Sequence, residues 1–162
     1  MTNPVPEPPA DPGSSIDDRL GRDHERLDGL LDRLKAEVRS SAPAAGEALR
    51  GFTGGLEHHM EWEDQHLFPA VKARASPKEI RSIESLEIDH ERLRETLRSL
   101  ATSLAAGDFG SAGTLVEWLG TLLEGHNYDE EHGVYVEADR LLGAADRRRL
   151  IERFETGRQG GG

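Results

Sequence analysis

From Leu20 to Val38, core-type residues recur at steps of four, three, four, three and four: Leu20, His24, Leu27, Leu31, Leu34 and Val38. That spacing draws one stripe along an α-helix that must pack against other helices, and it places a histidine inside the stripe. The pattern returns later as Ile83, Leu86, His90, Leu93, Leu97, Leu100 and Leu104, and the pentapeptide DHERL surrounds both histidines, at 23–27 and 89–93. Between and after these lie two more helical segments. One is expected over about 44–75, with Leu56, His59, Glu63, Leu67 and Ala70 on one face, and Pro69 kinking or tightening its later turns. The other is expected over about 111–142, with Leu115, Leu119, Leu122, His126, Glu130, Val134 and Leu141 inward. The third helix is announced by Ser76-Pro77-Lys78-Glu79, an N-cap serine, a proline at the first helical position and a capping-box glutamate.

Three short connections predict antiparallel neighbours, so the expected fold is all-α: an up-down-up-down antiparallel four-helix bundle over 15–142. A short terminal helix over 143–157 is expected to dock outside it. Residues 1–14 hold most of the eight prolines and almost nothing apolar, which predicts a disordered arm, and 158–162 read as a flexible tail.

The repeat is that of a helical hairpin. His24 and His90 are 66 residues apart, and both His59 and His126 and Glu63 and Glu130 are 67 apart. Each hairpin carries a histidine on its first arm and His-x-x-x-Glu on its second. At about 1.5 Å per residue, the distance of each residue from its turn puts His24 and His59 about 25 Å from the first turn. The same arithmetic brings His90, His126, Glu63 and Glu130 to that layer. The i, i+4 spacing aims His59 with Glu63, and His126 with Glu130, at one point.

One core histidine is more often a packing residue than a ligand, and one His-x-x-x-Glu pair is commonplace on exposed helices. Six such residues on four helices at one height are a different matter. Two carboxylates in a leucine-rich core require neutralisation, and metal ions provide it. Counting donors suggests two ions, each with two histidines, Glu63 and Glu130 bridging, and an exchangeable position left for dioxygen, peroxide or nitric oxide. The donor types suit iron, manganese or zinc. A metal-free polar layer in a helical interaction module is the alternative.

Asp23, Asp89, Glu25 and Glu91 project about 100° from the histidines they flank and are expected on a solvated face. His58, His66 and His132 lack repeat partners; the latter two are candidate peripheral proton donors. Trp62, Phe68, Tyr128 and Tyr135 read as packing residues, with Phe68 and Tyr135 at matched positions that could shape the pocket. Leu27, Leu31, Leu93 and Leu97 are the expected apolar lid.

Composition narrows the function classes. With 20 Lys and Arg against 31 Asp and Glu, the net charge of −11 disfavours nucleic acid and anionic membranes. The absence of cysteine excludes disulfides, thiolate catalysis and cysteine-held clusters. No run approaches a membrane span and the start is not that of a secretory signal, so a soluble, cytoplasmic protein is expected, as a monomer or weak homodimer.

The words DHERL (twice), HMEWEDQHLFP at 59–69 and HNYDEEHGVYV at 126–136 resemble the hemerythrin-like, or HHE cation-binding, family over about 15–142. The resemblance implies a four-helix bundle holding two iron ions in a non-haem di-iron centre, bridged by an oxo or hydroxo group and two carboxylates. Oxygen-carrying hemerythrins have His-x-x-x-His on the third helix and an aspartate on the fourth. Here Arg94 and Glu130 stand instead, a pattern similar to the bacterial H, HxxxE, H, HxxxE branch linked to repair of iron centres and to peroxide and nitric oxide responses. The cysteine-bearing N-terminal domain typical of the repair proteins has no counterpart in these residues. Ferritin-like enzymes use Glu-x-x-His, with the carboxylate first, a pattern that neither DHERL copy nor either HxxxE element fits. The resemblance thus implies a small ligand (O2, H2O2 or NO), either turned over in a catalase-like way or sensed and stored without turnover.

Overall fold

The computed structural model describes Gly13 and residues 15–159. Except for Gly13, the predicted arm lies outside the described residues, as do residues 160–162 of the predicted tail.

All regular structure among the described residues is helical. Helix α1 spans Ile16–Arg39, opened by Ser15, whose hydroxyl accepts the Asp18 N–H. The second long arm is α2, Ala45–Trp62, then a π-helical turn, Glu63–Leu67, then α3, Phe68–Lys72. Helix α4, Pro77–Ala105, begins with the predicted capping box, both of its reciprocal hydrogen bonds formed between Ser76 and Glu79. It ends on Gly107, whose positive φ of 72° lets its N–H reach the Leu104 carbonyl and that of Asp108 reach Ser103. That is the Schellman arrangement, which satisfies carbonyls the helix leaves bare. Helix α5, Phe109–Asp129, starts two residues before the expected Ser111 because the Asp108 side chain caps the Ser111 N–H. A second π turn, Glu130–Val134, leads into α6, Tyr135–Leu141, and α7 closes the chain over Ala144–Gln159.

Helix α1 packs against α2 and α5, and α4 against α5 and α2, so four long arms surround one interior. Two apolar clusters fill it. One contains Leu27, Leu34, Leu56, Leu93, Leu97 and Leu123, the other Leu20, Trp62, Leu67, Leu86, Val134 and Phe154. The polar residues of the stripes fall between them in sequence on every arm. The expected leucine lid is thus one of two apolar walls.

Three expectations are corrected. Pro69 does not cause the irregularity of the second arm, because the fourth arm has the same π turn at the same repeat position with no proline nearby. The terminal helix extends to Gln159, so Arg158 belongs to it rather than to a tail, and it is no loose appendage: Phe154 is fully buried against Trp62. Asp23 is not on a solvated face but buried, for reasons that belong to the site. No helix among the described residues is long and apolar enough to cross a membrane.

Candidate metal centre

The structure brings all six candidates together. His24, His59, His90, His126, Glu63 and Glu130 are each no more than 3% exposed. The imidazoles meet in pairs by their inner nitrogens, His24 Nε2 to His59 Nε2 at 3.2 Å and His90 Nε2 to His126 Nε2 at 3.2 Å.

Each carboxylate stands between the pairs. Glu63 places Oε1 3.4 Å from His59 Nε2 and Oε2 3.4 Å from His90 Nε2. Glu130 places Oε2 3.2 Å from His24 Nε2 and Oε1 3.0 Å from His126 Nε2. One oxygen of each therefore serves each pair. Donor atoms of Glu63, His90, His126 and Glu130 lie within 4.8 Å of one another, as do those of His24, His59 and Glu130.

The outer nitrogens explain how the inner ones are aimed. His24 Nδ1–H donates to Glu131 at 2.7 Å, His90 Nδ1–H to Asp64 at 2.7 Å, and His59 Nδ1–H to Asp23 at 3.0 Å. Ionised carboxylates only accept, so each Nδ1 carries the proton and each Nε2 turns inward as the potential ligand, which is the usual support of a metal-binding imidazole. His126 Nδ1 is buried with no partner. Asp23 also accepts from Arg26 Nε at 2.8 Å and lies 3.5 Å from Arg158 on α7. Burial pushes its carboxyl up, but the hydrogen bonds of His59 and Arg26 outweigh burial and hold it well below the carboxylate range.

The donor set fits a metal on two observations. Glu63 Oε2 and Glu130 Oε1 are buried with no hydrogen-bond donor in position, an expensive state for a carboxylate unless a cation faces it. His59 and His90, in turn, hold protons where a cation would otherwise stand. Burial works against charging His59, yet the Glu63 charge and the Asp23 hydrogen bond raise it to about 10. His90 is raised to about 11 against its own burial by Asp64, Glu130 and Glu63. Burial favours neutral Glu63 and Glu130, but the surrounding imidazoles hold both below their usual range. Protons therefore supply the positive charge that these carboxylates require.

Tyr135 is the residue that sequence reasoning undervalued. It is fully buried, and its hydroxyl donates to Glu63 Oε1 at 2.6 Å. The π turn is what brings it there: the Tyr135 N–H bonds the Glu130 carbonyl five residues back, where an α-helix would reach only four. Asp64 and Glu131 escaped notice as well. Each directly follows a site glutamate and matches the other in the repeat, the one signal that could have exposed them.

The other histidines lie apart from the centre. His58 contacts the Phe154 carbonyl at 3.2 Å, His66 faces Arg153, and His132 stacks on exposed Tyr128. A cavity of about 680 Å³ between α1 and α5, bordered by Asp28, Glu124 and Glu131, reaches His24 from solvent.

A helical protein with a buried histidine and carboxylate layer that could hold metal is the class these features define. The sequence model of the hemerythrin HHE cation binding domain matches residues 15–138, and the chain belongs to that family. No curated protein and no solved structure gives a significant match. Helix α7, with Phe154 and Arg158, lies beyond the matched stretch.

Proposed function

We propose that the chain is a non-haem di-iron protein that binds dioxygen, peroxide or nitric oxide in protection against oxidative and nitrosative stress, with decomposition of peroxide as its activity. On this reading His24 and His59 would hold one ion, His90 and His126 would hold the other, and Glu63 and Glu130 would serve both, within an up-down-up-down bundle. The observation that carries this reading is the division of each carboxylate, one oxygen towards each histidine pair.

An iron pair, when bound, supplies electron exchange and an open position for a small oxidant. The chain's own residues do the rest. Asp23, Asp64 and Glu131 fix three imidazoles by their outer nitrogens, so the inner nitrogens need no reorganisation. Apolar clusters on both sides restrict access to the layer and favour small, weakly polar ligands. In the metal-free protein, burial and both glutamates keep the Tyr135 hydroxyl protonated beside the site.

Adding hydrogen peroxide to iron-loaded protein tests the activity. Oxygen evolution over many turnovers supports it. A single stoichiometric oxidation would instead favour a sensing or storage module, a reading supported by the deep burial of every donor.

A further inference from the structure

The internal repeat makes the two histidine pairs near copies, and Tyr135 breaks that equivalence. Its repeat partner, 67 residues earlier, is Phe68, which has no oxygen and stacks its ring on His90 with centroids 5.5 Å apart. The Tyr135 oxygen faces the opposite pair. It lies 3.1 Å from His24 Nε2, 3.2 Å from His59 Nε2, 2.6 Å from Glu63 Oε1 and 3.1 Å from Glu130 Oε2. These are the four donor atoms on that side of the layer.

Imidazole nitrogens and carboxylate oxygens bind first-row cations at about 2.0–2.2 Å. An ion drawn in by those four atoms therefore comes within bonding reach of the phenol oxygen that already sits among them. The ring has nowhere to withdraw to, being fully buried in the cluster that contains Leu20, Phe68 and Val134.

On the two-ion reading given above, we propose that Tyr135 is a seventh protein ligand, bound through its phenol oxygen to the ion at His24 and His59 alone. The oxygen keeps the electron pair that forms the bond, and its proton leaves to solvent as the ion enters. The two positions then differ in kind: one has a phenolate, while the other is flanked by a phenyl ring and includes His126, whose outer nitrogen nothing orients.

The test is to load the full chain anaerobically with ferrous iron, count the iron retained, oxidise it, and record visible absorption and resonance Raman spectra. With two ferric ions per chain, a phenolate-to-iron charge-transfer band and enhanced phenolate ring vibrations are expected. Tyr135→Phe, which installs the residue the chain itself uses at 68, is expected to abolish both and to weaken one of the two binding steps by at least about tenfold. Two ferric ions without phenolate vibrations in the unsubstituted chain would overturn the ligand while leaving the two-ion reading intact. Retention of fewer than two ions would overturn both. Because the decisive spectrum is that of the unsubstituted protein, a misfolded variant would not rescue the proposal.

Discussion

Asp23 and Asp89 occupy the same place in two copies of DHERL, yet only one of them touches the site. Asp23 is held by Arg26 and Arg158 and accepts from His59, whereas Asp89 pairs with Arg92 at the surface. Removing a carboxylate behind a ligating imidazole typically costs about 10–100-fold in metal affinity. Asp23→Ala is expected to lose that much in a competitive metal titration, and Asp89→Ala to lose almost nothing. A second prediction concerns the metal-free protein. His59 and His90 are raised from 6.5 to about 10 and about 11, so their stabilisation is complete below about pH 6.5 and disappears as pH rises through those values. Glu63 and Glu130 are depressed from 4.5, so theirs is lost on acidification below that point. Thermal melting of metal-free protein is therefore expected to peak in mildly acidic buffer and fall towards pH 10. Metal-loaded protein should resist alkali, because the ion replaces the protons.

At the scale of elements, the two π turns decide what the second and fourth arms present. In an α-helix a residue five places on points about 140° away, so Tyr135 should leave the face that Glu130 occupies. The extra residue in the turn returns it to that face. Deleting Gly133 should restore α-helical pairing while leaving Tyr135 four places after Glu130, about 40° around the helix and so on the same face, and metal analysis of the purified variant is expected to find the metal complement retained. This explains what could be read in advance and what could not. The six candidate ligands were legible because leucine spacing and the repeat fix face and height on ordinary helices. Tyr135 was not, since its place depends on a helix with the wrong period. Nor was the burial of Asp23, because it depends on α7 delivering Phe154 and Arg158 from more than 100 residues away. The bundle-forming segments followed from their stripes, whereas the depth at which α7 docks follows from one aromatic side chain that no periodicity marks. Phe154→Ala should destabilise the fold by about 3–5 kcal/mol in denaturant titrations.

For the whole molecule, the price of this interior is a layer of charge between two apolar clusters, stable only while something positive occupies it. Metal binding and folding are therefore linked. At free metal about 100 times its dissociation constant, one ion contributes about 2.7 kcal/mol. At about 2–4 °C per kcal/mol for a chain of this size, removal of both ions by chelation is expected to lower the melting temperature by about 10–20 °C. The most direct test of the central claim is the iron content of anaerobically reconstituted protein after equilibrium dialysis. About two ions per chain are predicted, falling when His59 or His126 is replaced by alanine. One ion per chain, or none, would contradict the account.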